Sequence, residues 1–481
     1  MAGYREIAKE LVDQIDKQVL RAGDRVSSIR RAALKHRVNP GTVVRAYGEL
    51  EARGLIESRP RSGYFVRSIP RRQPPLPMRF KAAPRPVAVD VIDLVFEVFE
   101  TIHRATPVVQ FGAPFMNPDL FPLAQMNRAG AAAARTLVSS AIVQDLSPGN
   151  PDLRRLIALR YLSTGYVVSP DEIVITSGAL EAISLCLRAV TRPGDTVAIE
   201  TPSFYAILQW LERVGVKVAQ IATDPRTGID LDALERALKS GSIKACIFIP
   251  SFQNPVGSCM PEEHRRTLAR LAEKYQVPVI EDDVYAELYF GVNRPRPVKS
   301  FDRAGWVLHC GSFSKWLAPG YRIGWAAAGR FTRAVWQGKV LSSFNTAPVC
   351  QEALAYFLRR GGFETHLRRL RRTLAARRQE MFRTISAEFP TGCRVSQPEG
   401  GYMLWVELPE WFDVMELHRR ALAAGVSIAP GPIFSAQRHY RNCFRLNFGY
   451  ASSAQTRQGV RTLARLLHSA SVRRVAGKPE L

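Results

Sequence analysis

Residues 311–324 read GSFSKWLAPGYRIG, and they directly follow the apolar run WVLHC at 306–310. The apolar run predicts a buried strand. Lys315 therefore follows the end of a strand, with Ser312 and Ser314 beside it and Arg322 seven residues later. Polar residues in this position are candidates for a ligand site, because ligands of α/β sheets bind at the carboxyl ends of the strands. Taken alone, Lys315 and Arg322 are better explained as surface charges.

Four further apolar runs lie upstream, at residues 172–176, 196–200, 244–249 and 277–281, and they alternate with stretches of helical spacing. This alternation predicts an α/β fold with a mainly parallel sheet. The carboxyl ends of parallel strands meet at one edge, so the polar and small residues that follow each run are expected to lie together. These residues are Gly178, Ala179, Phe204, Asn254, Asp282 and Tyr285.

This set matches what pyridoxal 5'-phosphate (PLP) needs from a protein: a lysine for the aldehyde, a carboxylate at the pyridine nitrogen, donors to the ring oxygen and a cradle for the phosphate. Lys315 is the candidate for the aldehyde and Asp282 for the pyridine nitrogen. Asn254 and Tyr285 are the candidate donors to the ring oxygen, and Ser312 and Arg322 are the candidates for the phosphate. Backbone amides at Gly178 and Ala179 can face an anion where strand turns into helix, and Phe204 can stack on the ring. Each residue alone has an ordinary structural explanation; their order and spacing predict the cofactor.

From about Asp145 to Gly449 these motifs resemble the fold-type I, aspartate-aminotransferase-like enzymes. The resemblance implies that Lys315 forms the internal aldimine, Asp282 partners the pyridine nitrogen, and Asn254 and Tyr285 donate to the ring oxygen. It assigns Gly178, Ala179, Ser312 and Arg322 to the phosphate. It also assigns Arg445, in FRLNFG at 444–449, to a substrate carboxylate, a role that a planar guanidinium suits. Residues 144–154 resemble a loop that in many relatives offers Tyr to the neighbouring subunit, but they contain no Tyr, so completion of the site by a second subunit stays open.

The first 68 residues have a different pattern, which predicts three helices and a β-hairpin. Ile7, Leu11, Ile15 and Val19 form one stripe over residues 5–19. A short second helix begins at Ser27 or Ser28, and a third begins at Asn39-Pro40, runs to about Arg53 and buries Val43, Tyr47 and Leu50. Strands at 55–58 and 64–67 flank a turn with two arginines.

Three helices followed by a hairpin predict a winged helix-turn-helix, whose third helix enters the major groove of DNA while the wing reaches the backbone or minor groove. Arg45 and Arg61 are the preferred contacts. Residues 1–68 hold 14 Lys and Arg against 8 Asp and Glu, so a positive charge accompanies the motif. A helical protein-interaction module is the alternative.

Four segments of this region resemble the GntR winged-helix signature: 25–30, 39–47, 50–57 and 62–66. The resemblance implies that Arg30, Thr42, Arg45 and the wing around Gly63 contact DNA. Arg61 stands where the family often has Gly, and its charge strengthens the attraction of the wing to phosphate.

The proposed domains are a head at 1–68, a linker at 69–88, a body at 89–470 and a tail at 471–481. Six prolines and five Lys or Arg in the linker predict an extended, semi-rigid connector. Within the body, residues from about 125 to 345 form the large part and residues from about 346 to 470 the smaller α/β subdomain. A run of arginines at 368–378 is interpreted as a solvated helix face, with a second DNA-contact surface as the alternative.

The composition excludes a disordered chain or a fibre, since 46% of the 481 residues are hydrophobic and 23% are charged. A net charge of +24 favours a polyanionic partner. Seven scattered Cys without a C-x-x-C motif predict reduced thiols and no metal site. No apolar run approaches the roughly 20 residues that cross a bilayer, and the N-terminus does not look like a signal peptide, so we expect a cytoplasmic protein without a membrane partner.

Head, linker and body in this order resemble the MocR subgroup of GntR transcription regulators. The resemblance implies a homodimer whose two heads read paired half-sites of double-stranded DNA. It also implies that an amine, amino acid or B6 vitamer acts at Lys315. An active aminotransferase with an appended head is the alternative, and a scaffold without cofactor is the third interpretation. The residues predict neither the effector, the operator sequence nor the direction of regulation.

Overall fold

The structure is a computed structural model that describes residues 3–16, 19–21, 23–52, 55–59, 62–66, 73–83, 85–136, 147–162 and 164–475. The first 66 residues contain helices α1 (Tyr4–Asp16), α2 (Ile29–His36) and α3 (Pro40–Ala52), followed by strands β1 (Ile56–Arg59) and β2 (Gly63–Val66). The two strands pair antiparallel, with Ile56 opposite Val66. The predicted helices and hairpin are therefore confirmed. Arg61, the predicted wing contact, lies outside the described residues, as do residues 67–68 of the head, 69–72 and 84 of the linker and 476–481 of the tail.

The head is held together by Ile7, Leu11 and Ile15 of α1, which pack on the buried face of α3. The prediction is wrong for Val19, the fourth residue of the stripe, which lies beyond the end of α1 and is 68% exposed. Ser28 caps α2 by accepting the N–H of Arg31 at 3.3 Å, which decides between the two predicted caps. Asn39 caps α3 by accepting the N–H of Gly41 at 2.8 Å. Tyr47 is buried, and its hydroxyl donates to the carbonyl oxygen of Ser27 at 2.8 Å, which ties α3 to the start of α2.

The body is built around an eight-stranded sheet. Its strands are β4 (Ile173–Thr176), β5 (Thr196–Thr201), β6 (Lys217–Asp224), β7 (Gly228–Ile229), β8 (Ile243–Phe248), β9 (Val279–Asp282), β10 (Val307–Ser312) and β11 (Gly324–Ala327). Their order across the sheet is β4-β11-β10-β9-β8-β5-β6-β7. The five strands from β10 to β6 run parallel to one another, β11 runs antiparallel between β10 and β4, and β7 runs antiparallel to β6. The mainly parallel sheet is thus confirmed.

Helices accompany this sheet and cover its apolar residues. They are α4 (Ile92–Ala105), α5 (Leu123–Thr136), α6 (Pro151–Leu162), α7 (Ala179–Val190), α8 (Tyr205–Val214), α9 (Leu231–Lys239), α10 (Glu262–Tyr275), α11 (Thr332–Ser343) and α12 (Pro348–Arg360). The strand-helix alternation brings the carboxyl ends of the parallel strands, where the predicted site residues stand, to one edge of the sheet.

The C-terminal part carries a second sheet. Its elements are α13 (Phe363–Glu388), β12 (Arg394–Val395), β13 (Met403–Glu407), α14 (Val414–Ala423), β14 (Val426–Ser427), β15 (Ala429–Pro430), β16 (Cys443–Asn447) and α15 (Ser453–Val475). The strands of the sheet lie in the order β12-β13-β16-β15. Strand β3 (Val109–Gln110), which precedes the large sheet in the chain, pairs parallel with β14, so this early segment belongs structurally with the C-terminal part.

The described part of the linker is extended and lies along the body. Phe80 is buried, and its N–H donates to the carbonyl oxygen of Thr223 at 2.9 Å. Val87 forms a second isolated bridge, with Val218. These main-chain bonds to β6 fix the linker on the body. The described part of the connector is therefore attached to the body at two points.

The arginine run on α13 is not one solvated face, so that interpretation is wrong for half of its members. Arg368, Arg369 and Arg372 are exposed. By contrast, Arg371, Arg377 and Arg378 donate to the carbonyl oxygens of Glu287, Gly449 and Pro398 at 2.7, 2.6 and 2.7 Å. Because side chains point around the whole circumference of a helix, some positions in such a cluster lie against the body whatever their charge. No helix in the described part of the chain has the length and apolar character that a membrane span requires.

Candidate functional site

Lys315 lies just after β10, and the body buries most of its side chain. Its Nζ donates to the carbonyl oxygen of Pro114 at 3.1 Å and lies 4.1 Å from the ring centroid of Phe115. Burial lowers the pKa of Lys315 to about 7, and the positive charge of Arg445 acts in the same direction. Asp282 opposes this shift. The amine is therefore neutral in a large fraction of molecules near neutral pH, as a nucleophile for an aldehyde must be.

This pKa predicts how the cofactor-free protein reacts with an electrophile. Acetylation of Lys315 by acetic anhydride, followed by peptide mass spectrometry, should accelerate as the pH rises through about 7 and level off above pH 8, because only the neutral amine reacts. Exposed Lys274, whose pKa is raised by the hydrogen bond to Glu235, is the internal control and should keep accelerating beyond pH 9. Parallel pH profiles for the two lysines would contradict the prediction.

Asp282 ends β9 and is 2% exposed. Among the residues that the structure describes, its carboxylate accepts only one hydrogen bond, from the N–H of Val284 at 3.4 Å. Burial raises the pKa of Asp282 to about 7, with Asp283 acting in the same direction and Lys315 against it. A buried carboxylate with so few partners suits a cationic N–H donor that the chain itself does not supply.

Asn254 and Tyr285 meet beside Asp282, as expected from their positions after β8 and β9. The amide nitrogen of Asn254 donates to the Tyr285 hydroxyl at 3.2 Å. Both side chains are buried, and burial raises the pKa of Tyr285 well above its usual value. The ring of Tyr285 lies 6.0 Å from Nζ of Lys315. A protonated phenol and an amide are thus held together next to the lysine, both able to donate to a ring oxygen.

A cradle for an anion forms where β4 leads into α7. Gly178 has φ +88°, and a Cβ at this position would come within 2.6 Å of the Arg322 guanidinium. Only glycine therefore allows the guanidinium to lie this close to the first turn of α7, which begins at Ala179. Arg322 Nη1 donates to Ser314 Oγ at 3.4 Å, and Ser312 Oγ donates to Ser314 Oγ at 3.0 Å. Ser314, which the sequence analysis did not assign, therefore stands between the two predicted residues.

These features fit PLP. The cradle combines a helix N-terminus, a guanidinium and hydroxyls, which together suit a phosphate dianion. The under-satisfied Asp282 suits the pyridine nitrogen. Phe204 precedes α8, is half-buried, and its ring lies 4.6 Å from that of Tyr205. The structure describes no contact from Phe204 to Lys315, so its stacking role stays a prediction.

Arg445 lies on β16 and is completely buried, and it joins this cluster from the C-terminal part. Its guanidinium donates to Asn254 Oδ1 at 3.1 Å and to the carbonyl oxygen of Gly112 at 2.9 Å. The ring of Phe434 lies 5.2 Å from its Cζ. In this arrangement Arg445 binds main-chain oxygens at the place where the sequence analysis expects a substrate carboxylate.

The segment 112–115 is the main feature of the site that sequence reasoning missed. Its carbonyl oxygens accept hydrogen bonds from Lys315, Arg445, Tyr402 and Asn447. Tyr402 reaches Pro114 at 3.1 Å, and Asn447 reaches Ala113 at 2.8 Å. The segment precedes the strand-helix alternation, and its contacts are made by main-chain oxygens. Its part in the site could therefore not be predicted from a side-chain motif.

A hydrogen-bonded network lies next to Asp282 along β9. Glu281, Asp283 and His309 bring their ligand atoms within 4.8 Å of one another. Asp283 is held by His309 at 3.1 Å and by Arg294 at 2.9 Å, and Glu281 accepts the N–H groups of Val298 and Lys299. Both oxygens of Glu281 and Oδ2 of Asp283 are therefore engaged, whereas Oδ1 of Asp283 has no hydrogen-bond partner among the described residues. The negative charge of Asp283 helps to raise the pKa of Asp282.

The head presents a second candidate site. Arg30 and Arg45 are exposed, Thr42 is half-buried in the first turn of α3, and the Arg45 guanidinium lies 4.2 Å from the Tyr4 ring. At the wing, a Cβ on Gly63 would be 3.6 Å from the Arg25 guanidinium. Exposed Arg25 therefore joins the wing, although the sequence analysis did not select it. Its strand pairing with Phe65, which brings it there, follows only from the fold.

The comparisons with known proteins separate the same two parts. The family model of aminotransferase class I and II matches residues 125–463, and that of the gntR family of bacterial regulatory proteins matches residues 3–66. The uncharacterized HTH-type transcriptional regulators YdcR and YjiR of Escherichia coli (strain K12) are 41% and 37% identical to this chain. The alignments cover 97% and 98% of this chain and 99% and 100% of the relatives.

A solved structure is similar to the body. It is LysN, the alpha-aminoadipate aminotransferase of Thermus thermophilus complexed with N-(5'-phosphopyridoxyl)-L-leucine, with a TM-score of 0.72 and 30% identity. The match covers 79% of this chain and 95% of that structure. Full-length similarity to regulators and the two matching family models lead to one conclusion: the chain belongs to the GntR family of transcription regulators, in its MocR-like group, which joins a winged helix-turn-helix head to a fold-type I aminotransferase body.

Proposed function

We propose that this regulator carries PLP on Lys315 and changes its affinity for operator DNA when an amine, an amino acid or a B6 vitamer competes for the cofactor aldehyde. The observation that carries the proposal is the convergence of Lys315, Asp282 and Arg322 in the body of a chain whose head is a basic winged helix. Bound PLP would supply a reactive aldehyde conjugated to an electron-withdrawing ring.

Each side chain has a defined task in this proposal. Lys315 would supply the amine for the aldehyde, and Asp282 would hold the proton on the pyridine nitrogen. Asn254 and Tyr285 would donate to the ring oxygen. The amide of Ala179, Ser312 and Arg322 would bind the phosphate in the space that Gly178 leaves, and Phe204 would lie against the ring.

Arg445 makes amino acids the favoured effector class. Its guanidinium can exchange the carbonyl oxygens of Gly112 and Ala113 for a carboxylate, which pairs with it more strongly than neutral oxygens do. Binding of a carboxylate would therefore remove the Arg445 hydrogen bonds from segment 112–115, while those from Tyr402 and Asn447 remain. In the sequence, that segment follows the linker and precedes the first strand of the large sheet.

A continuous set of aromatic rings connects Arg445 to the linker. Phe434 contacts Arg445, and its ring lies 5.7 Å from that of Trp405. Phe80 of the linker packs edge-on against Trp405 at 6.3 Å and Tyr440 at 5.7 Å. A shift of Arg445 toward an effector would change the packing of Phe434 and Trp405, and so the position of the Phe80 ring. Coupling of the cofactor site to the linker then requires only two alternative packings of these rings.

Replacement of Phe80 by Ala tests this route. We expect it to leave effector binding to the cofactor intact and to reduce the effector-induced change in DNA affinity at least about 3-fold, out of the roughly 5- to 150-fold range of typical allosteric couplings. Cofactor spectra and DNA affinity, both measured against effector concentration, give the two readouts. Met78→Ala is the control, since Met78 is a 52% exposed linker residue. A full effector response in Phe80→Ala would contradict the route.

We further propose that the protein acts as a homodimer in the bacterial cytoplasm, where its DNA is. A two-fold arrangement of heads would read paired half-sites. Arg30, Thr42, Arg45, Arg61 and the wing at Gly63 are the proposed contacts in each half-site.

The deciding experiment titrates amines and amino acids while both the cofactor spectrum and the affinity for the protein's own upstream DNA are recorded. The proposal expects the two to change together. A second function, transamination, is favoured by the presence of a candidate for every PLP-binding task around Lys315. Steady-state turnover of an amino donor with a 2-oxo acid at ordinary enzymatic rates (about 1 to 1000 per second) would favour the enzyme over the regulator.

A further inference from the structure

The outward face of α3 carries very few side chains. Its exposed positions, at spacings of three, one and three residues that keep them on one side of the helix, are Gly41, Val44, Arg45 and Gly48. The opposite face, which includes Val43 and Tyr47, is completely buried in the head. Between the two glycines, only Val44 and Arg45 project from the open face.

Gly48 is not explained by the head itself, since a Cβ there would meet no described heavy atom within 4 Å. Gly41 is partly explained, because a Cβ there would lie 3.3 Å from Oδ1 of Asn39, the side chain that caps α3. Neither glycine has the positive φ that would require glycine. A glycine inside a helix destabilises the helix relative to Ala. At Gly48 this cost is understandable if a partner surface must come close to the backbone of α3 beside Val44.

Val44 is the apolar member of this face, with 48% of its surface exposed. A single exposed valine needs no explanation by itself. Here, however, it stands beside Arg45 on the helix that a winged helix-turn-helix inserts into the major groove. The apolar feature that base edges offer in the major groove is the C5-methyl group of thymine.

We propose that Val44 reads a thymine methyl group in each half-site, next to the base pair that Arg45 contacts. This inference rests on the proposed DNA-binding function. It assigns base recognition to an uncharged residue, which the charge-based selection of contacts passed over. Arg45 would supply hydrogen bonds to a guanine, and Val44 would make the adjacent position specific for thymine.

The test uses the full-length protein and a binding site selected from a random-sequence DNA pool. Each thymine in the selected site is replaced in turn by deoxyuridine, which removes only the methyl group. We expect one thymine in each half-site whose replacement weakens binding about 4-fold, the value of one buried methyl group at roughly 0.8 kcal/mol. In Val44→Ala, the same replacement should have almost no effect.

Leu34→Ala is the matched control, because Leu34 is an 80% exposed apolar residue of the same head but lies on α2. It should keep the full sensitivity to deoxyuridine. Val44→Ala changes an exposed helix position to a better helix former, so folding is preserved. Equal deoxyuridine sensitivity in Val44→Ala and the unaltered protein would overturn the inference and leave DNA binding intact. Failure to select any sequence would overturn DNA binding itself, and the inference with it.

Discussion

Lys315→Ala is expected to abolish the imine absorbance of the PLP-loaded protein and its response to effector, while DNA binding is retained. The side chain is largely buried at the end of β10, and its pKa of about 7 makes it a nucleophile near neutral pH. Removal of the amine leaves no covalent attachment for the aldehyde. The head has its own buried core, so its fold does not depend on the body site.

The measurement combines absorbance spectroscopy with DNA affinity in the presence and absence of candidate effectors. Lys274→Ala is the control, because Lys274 is an exposed lysine that pairs with Glu235 on the body surface. It should show the spectrum and the effector response of the unaltered protein. Imine absorbance that persists in Lys315→Ala would place the cofactor on another lysine.

Arg45→Ala is expected to weaken binding to the selected operator by about 1 to 3 kcal/mol, or roughly 5- to 150-fold, and to relax the preference at one base pair of each half-site. Arg45 is exposed on α3, and its guanidinium rests on the Tyr4 ring. A cation–π contact at an exposed site is worth about 0.5 to 1 kcal/mol. Two hydrogen bonds to a guanine are worth more, so the side chain can leave Tyr4 when DNA binds.

Affinity for the operator and for single-base variants, measured at several salt concentrations, separates base reading from phosphate attraction. Loss of a phosphate contact weakens binding to all sequences and lowers the salt dependence. Arg5→Ala serves as the control, since Arg5 is an exposed cation on α1 that also contacts the Tyr4 ring. Unchanged base preference in Arg45→Ala would assign base reading to other residues of the head.

The sequence predicted most of the local structure because its signals are local. Asn39-Pro40 marks the start of α3, and Ser28 the start of α2, through bonds to amides two or three residues away. The strand predicted from the apolar run at 306–310, which the structure places at 307–312, and the residues around Lys315 were predicted in the same way, from an apolar run with hydroxyls after it. Even here the spacing alone did not predict that Ser314 accepts hydrogen bonds from both Ser312 and Arg322.

The arginines show where such reasoning stops. The cluster of arginines at 368–378 on α13 looks solvated in sequence, yet Arg371 and Arg378 donate to carbonyl oxygens of the body. Similarly, Arg25 lies in the segment 25–30 that resembles the GntR signature, but its place beside Gly63 depends on strand pairing. Which charges face inward is decided by the neighbours of a helix or strand, and these come from distant parts of the chain.

By itself, then, the sequence determined the order of the two parts, the α/β character of the body and the chemical types of the site, because strand and helix periodicity and motif spacing act within a few residues. Only the tertiary structure decided that Arg445 binds the carbonyl oxygens of segment 112–115, and that Phe80 of the linker packs on Trp405. These contacts join residues that are far apart in the chain, and one partner of the first is a main-chain oxygen that every residue possesses. No pattern of side chains could announce them.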